Sequence, residues 1–170
     1  MADLPATVAA NRQGIDVFID LARALDPDRW STPVQPRGWS PAQITDHLTR
    51  TYDFGSSVIE GRMAEHRLPA LLRWMINRFW FVPAIRNGRF TGKAKAPKFF
   101  QPHLSSSTPE ELLARLRAAS ERFAALVERE MSRGTTSVEH PMFGAIPLLQ
   151  FLELQVIHVR HHRAQLPQPS

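Results

Sequence analysis

Apolar residues recur at helical spacing through most of the chain, in five stretches separated by Pro- and Gly-bearing connections. In the first, Val8, Ile15, Phe18, Ile19, Ala22 and Leu25 share one face between about Leu4 and Leu25, and Asp26-Pro27 stops it. Residues 27–39, with Pro27, Pro33, Pro36 and Gly38, read as a polar connection. The second helix has a strong start: Ser40 can cap, Pro41 suits the first turn, and Gln43 completes a capping box. It is expected to run to about His66. The third, Leu68 to Ile85, is so rich in Trp74, Phe79, Trp80 and Phe81 that one core contact would not use all its apolar surface, and Pro83 should kink or end it. The fourth opens on a second capping box, Thr108-Pro109-Glu110-Glu111, and closes at Arg133-Gly134. A turn-rich stretch, His140 to Gly144, leads to the fifth, from about Pro147 to Leu166, which has no comparable cap. Strand-like alternation is absent. The expected fold is all-α, an antiparallel up-and-down four-helix bundle with an additional helix, formed by residues 1–170 as a single domain.

Composition narrows the chemistry. The chain has no cysteine, which removes disulfides, thiolate metal sites and cysteine nucleophiles, and leaves His, Asp and Glu as the strong metal ligands. Neither a signal peptide nor the roughly 18 unbroken apolar residues of a membrane span is present, so a cytoplasmic location is expected. The net charge of +5 is local: residues 1–85 and 99–170 each balance, and the excess is Arg86, Arg89, Lys93, Lys95 and Lys98. Such a concentration argues against a nucleic-acid face spread over the domain. Those five residues lie in a connection of about 20 residues beside Phe99 and Phe100, long for a bundle, and form a candidate anion-binding segment. A solvated loop is the plainer alternative.

The seven histidines are unevenly placed. With about 100° per residue and His47 as origin, Ile44, Thr51, Phe54 and Val58 fall within roughly 60° of it, so His47 faces the core. On the fifth helix, Phe151, Leu154, His162 and Gln165 all lie within about 40° of His158, while Glu153 and Arg160 are opposite. A lone inward histidine is ordinarily a satisfied core residue. Two at i and i+4 can reach one ion, and His47, near the start of its helix, can join them if the second and fifth helices run antiparallel. Three neutral imidazoles leave coordination positions for water or substrate, and zinc or nickel suits such a donor set. His161, at about −60°, is a weaker candidate, an outer partner or an alternative ligand closing the site. No Asp or Glu shares the inward faces to serve as general base, and no phosphate loop, dinucleotide fingerprint or nucleophile motif is found.

Two segments carry a family resemblance. Trp39-Ser40-Pro41-Ala42-Gln43-Ile44-Thr45-Asp46-His47-Leu48 resembles the DinB/YfiT-like motif, in which a Trp precedes the metal-binding His by eight positions. His140-Pro141-Met142-Phe143-Gly144, followed by His158-Val159-Arg160-His161-His162 through Gln165, is similar to the family's last helix with its His-x-x-x-His. Gln43 stands where an acidic residue is often seen. The resemblance implies a DinB-like bundle, commonly dimeric, with a divalent metal on His47, His158 and His162. It also implies a thiol-dependent transferase or hydrolase in which the metal activates a low-molecular-weight thiol or water. The apolar excess of the third helix independently suggests a homodimer. Three functional readings follow: a metal-dependent enzyme acting on a small-molecule substrate, a non-catalytic metal-binding module, and a module using the basic loop on an anionic partner. An exchangeable fourth coordination position favours the first and a fourth protein ligand the second; strong salt sensitivity favours the third.

Overall fold

Two capping boxes fix where the two central helices begin. In the computed structural model, which describes residues 3–36, 38–90, 97, 100–103 and 107–167, the Ser40 hydroxyl accepts from the Gln43 N–H at 3.3 Å and Gln43 Oε1 accepts from the Ser40 N–H at 2.9 Å. Thr108 and Glu111 do the same at 3.2 and 3.1 Å. These caps satisfy N–H groups that an unfinished helix end leaves bare. From them run α3 (Pro41–Ile59) and α6 (Pro109–Ser132), joined in the bundle by α1 (Leu4–Arg23) and α7 (Leu148–Arg163). Ile15, Phe18, Leu48, Tyr52, Leu116, Phe123 and Leu152 meet in the core, and the buried Tyr52 hydroxyl donates to Asn11 Oδ1 at 2.6 Å, joining α3 to α1.

The helical bundle expected from the sequence is present, and its helix directions are more particular than a simple up-and-down order. Along α3 and α7 the contacts run in opposite senses, with His47 at His158, Thr51 at Gln155 and Gly55 at Phe151. Along α3 and α6 they run in the same sense: Asp46 shares a cavity wall with Leu112, and Asp53 pairs with Arg122. The long connection between α3 and α6 permits parallel neighbours, which a short loop would not.

Several local expectations are revised. A one-turn helix, α2 (Pro27–Trp30), sits in the first connection and buries Trp30. The second predicted helix stops at Ile59 rather than His66, which lies in a separate 3₁₀ turn (Ala64–His66) after Gly61 at φ +76°. The third is α4 (Ala70–Ile76) and α5 (Val82–Asn87) joined by a π-helical turn, Asn77–Phe81. Pro83 therefore does not end the helix: the wider turn before it, with Val82 N–H donating to the Asn77 carbonyl, carries the backbone on to Gly88 at φ +61°.

The turn-rich stretch is a two-stranded antiparallel hairpin, β1 (Ser137–His140) and β2 (Gly144–Pro147), with Val138 opposite Ile146. It qualifies the all-α expectation and supplies what α7 lacks, since the Thr136 carbonyl accepts the N–H of the uncapped Leu148 at 3.0 Å. Strands of four residues are too short to show alternation in the sequence.

Candidate metal centre

The antiparallel packing of α3 on α7 brings three histidines to one point. Nε2 of His158 lies 3.1 Å from Nε2 of His47 and 3.0 Å from Nε2 of His162. His158 and His162 are one turn apart on α7, and His47 reaches them from the second turn of α3. Below this layer Gln155 Nε2 donates to the Thr51 carbonyl at 3.5 Å, and below that Gly55 meets Phe151.

The outer nitrogens decide what the inner ones can do. Nδ1 of His47 faces the Phe100 carbonyl at 2.7 Å, which can only accept, so Nδ1 carries the proton and Nε2 keeps its lone pair. Nδ1 of His162 donates to Gln165 Oε1 at 2.9 Å, with the same result. Two bare lone pairs therefore face the Nε2 of His158, which can offer a proton to one of them at most. Burial reinforces this state. It lowers the pKa of His47 and takes that of His162 down to about 3, while His158 is held well below its usual range by burial and by its two imidazole neighbours. At neutral pH the cluster is three neutral imidazoles with crowded electron pairs, an arrangement that a cation relieves. The donor atoms all lie within 4.8 Å of one another, and the two separations from His158, 3.1 and 3.0 Å, are close to the roughly 3.3–3.4 Å that tetrahedral bonds of about 2.0–2.1 Å require. The residues fit a divalent ion with imidazole ligands.

Aromatic rings enclose the cluster. Trp39 lies 4.6 Å from the His47 ring and stacks at 6.0 Å on His162; Phe100 meets His47 edge-on at 6.5 Å. Phe90, at the end of the helical segment that includes α4 and α5, sits against His158 and His161 at 5.7 and 5.3 Å. His161 does not join the donor set: its Nε2 is 3.0 Å from the Gln165 side-chain nitrogen, so one amide bridges an exposed histidine and His162. Burial lowers the His161 pKa as well.

Of the basic segment, Arg86 and Arg89 are exposed next to Phe90, whereas Lys93, Lys95 and Lys98 lie outside the described residues. Phe90 and Phe100 both touch triad histidines, so the connection borders the cluster at these two residues. Gln165 shares the inward face of the fifth helix in the sequence, and its spacing of three from His162 is the signal of the hydrogen bond the two make. Nothing in the sequence pointed to the Phe100 carbonyl, because a backbone acceptor in an irregular connection has no residue-type signature.

The comparisons with known proteins agree with this architecture. The family model of the DinB superfamily matches residues 10–166. Among solved structures, YfiT from Bacillus subtilis, described as a probable metal-dependent hydrolase with an unusual four-helix bundle topology, superposes with a TM-score of 0.59 at 17 % identity, covering 96 % of this chain and 83 % of that one. At that identity the likeness concerns the fold. No curated protein matches the chain. Among the described residues no helix is long and apolar enough to cross a membrane.

Proposed function

The chain belongs to the DinB superfamily, and from that premise we propose that it is a metal-dependent enzyme acting on a small-molecule substrate, with His47, His158 and His162 holding one divalent transition ion, zinc or nickel. The observation that carries this reading is the meeting of the three Nε2 atoms, two with their lone pairs fixed inward by the Phe100 carbonyl and the Gln165 amide. Bound there, an ion with three uncharged ligands keeps its double charge and supplies Lewis-acid activation of water or of a low-molecular-weight thiol. Hydrolysis, as described for the YfiT neighbour, and thiol-dependent transfer both draw on that chemistry.

The chain's own residues contribute orientation and enclosure. Phe100 and Gln165 hold two imidazoles in their ligating tautomer. Trp39, Phe90 and Phe100 keep water from the sides of the cluster, which strengthens electrostatic interactions within it. Arg86 and Arg89, with Lys93, Lys95 and Lys98 in the same stretch, favour the approach of anionic substrates. A non-catalytic brace would be expected to close the fourth coordination position with a protein group. The nearest candidate, His161, has its Nε2 engaged by Gln165, which supports an open, catalytic site over a closed one.

Elemental analysis of the purified protein tests this reading. The expected result is about one divalent ion per chain, lost in His158→Ala while the far-ultraviolet circular dichroism keeps its helical form. Metal-free wild-type protein that takes up neither zinc nor nickel would overturn it, as would full metal content in the variant.

A further inference from the structure

Beside the triad, between α3 and the first turns of α6, is a cavity of about 430 Å³ whose wall includes Phe54, Phe100, Asp46, Asp53, Arg50 and Arg115. It is separate from the metal cluster and shares one residue with it, since the Phe100 ring lines the cavity while the Phe100 carbonyl holds His47 Nδ1. The volume is in the range of small-molecule sites.

The charges of the wall show which ligand it suits. Both carboxylates are already paired. Asp46 Oδ2 accepts from Arg50 Nε at 2.8 Å and from the His103 backbone N–H at 2.8 Å, and Asp53 Oδ1 accepts from Arg122 at 2.8 Å. Arg50 spends only its Nε on Asp46. Arg115 has no hydrogen bond or ion pair among the described residues. The wall thus offers one uncompensated positive charge and a second guanidinium edge on opposite helices, over a floor where the Phe54 and Phe100 rings meet edge-on at 4.9 Å. A cation would find no free carboxylate there. A polyanion such as a nucleotide would find too little charge.

We propose that this cavity is a second ligand site, for a small organic monoanion whose carboxylate sits on Arg115 and the Arg50 edge and whose aromatic or branched apolar body lies on Phe54 and Phe100. Paired N–H donors on guanidinium suit a planar carboxylate, and the phenyl floor suits a ring. The site is coupled to the triad. Residues 100–103 are tied to α3 at both ends, by Phe100 to His47 and by His103 to Asp46, so a ligand packed on the Phe100 ring steadies the carbonyl that orients His47. By linkage the metal must then strengthen the ligand by the same factor. The coupling rests on the metal reading above; binding in the cavity does not.

Calorimetric titration of the full-length protein with phenylacetate, before and after removal of metal with EDTA, tests both parts. Saturable one-to-one binding is expected in both states. Arg115→Gln, at an exposed position that folding does not need, should weaken it about tenfold, and His158→Ala should leave it within about twofold. Zinc affinity should rise when the probe is saturating, and this rise should vanish in Arg115→Gln. No saturable binding, binding unmoved by Arg115→Gln, or binding abolished by His158→Ala would overturn the site, the last because the carboxylate would then be on the triad. Binding that passes these tests with zinc affinity unchanged overturns the coupling alone. A protein that binds the probe but never zinc separates this site from a failed metal reading.

Discussion

Two imidazoles of the triad, His47 and His162, are set by what their second nitrogen meets, and residue-scale predictions follow from those partners. Gln165 fixes His162 through one hydrogen bond, so Gln165→Leu should lower zinc affinity about 10- to 100-fold, while Gln165→Glu, which keeps an acceptor, should retain most of it. A competitive chelator titration reads both. Away from the cluster, His140 is buried against Phe143 at 4.3 Å and accepts the Met142 N–H on Nδ1. Burial takes its pKa from 6.5 down to about 3, as it does for His162. Across that window the unfolded chain carries protons that the folded one refuses. Metal-free protein should therefore be stable above about pH 6.5 and lose stability steadily as the pH falls toward 3. His140→Asn keeps an acceptor for Met142 without a titrating ring, and urea unfolding as a function of pH should show a shallower acid loss. An unchanged slope would place the effect elsewhere.

At the scale of elements, the α3–α7 contact decides whether the site forms. Gly55, two turns beyond His47, lets α3 pack closely on its neighbours: a Cβ there would stand 2.7 Å from Phe123 Cε2 and 3.3 Å from Phe151 Cζ. Phe123 is fully buried, with its ring edge-on to Tyr52 and Phe151, so it cannot swing out to solvent without breaking both contacts. Gly55→Ala should gain helix propensity yet lose more to overpacking, a net cost of about 1–2 kcal/mol in urea unfolding. Because α3 must give way against Phe123 of α6 and also against Phe151 of α7, the seat of His47 shifts and metal affinity should fall with it. The hairpin matters at the same scale. It caps α7 through Thr136, and it anchors the π turn through Asn77 Nδ2 on the Phe143 carbonyl at 2.9 Å and α4 through Arg73 on Glu139 at 3.1 Å.

For the molecule as a whole, those polar tethers leave one apolar side of the segment from α4 through the π turn to the start of α5 turned outward. Leu71, Trp74 and Phe79 are 70 %, 58 % and 65 % exposed, with Leu72, Met75 and Val82 beside them, while Phe81 is buried in the core. The apolar excess read from the sequence is thus resolved: Phe81 is used by the bundle, Trp80 stacks on Phe90 and Phe143, and Trp74 and Phe79 are left over. We propose that a twofold-related copy of the chain covers this face, the usual solution for such a patch. Sedimentation at micromolar concentrations should show a dimer, and Trp74→Lys with Phe79→Glu should return the 19.3 kDa monomer without loss of metal. A wild-type monomer at every concentration would remove the proposal.

Local information determined the parts of this protein. Side chains within four residues make the caps at Ser40 and Thr108, and the 3.6-residue period turned His47, His158 and His162 inward, so the helices and the candidate ligands were legible in the sequence alone. Weakly specified segments were not. The hairpin strands are too short for a period, and the π turn just before Pro83 has no residue-type signature of its own. What only the tertiary structure decided is which groups from distant parts of the chain meet. It set the parallel course of α3 and α6, the Phe100 carbonyl on His47 and the cavity between Arg50 and Arg115. Each depends on how the chain closes long loops and buries apolar area as a whole, a global balance of entropy and packing that no sequence window contains.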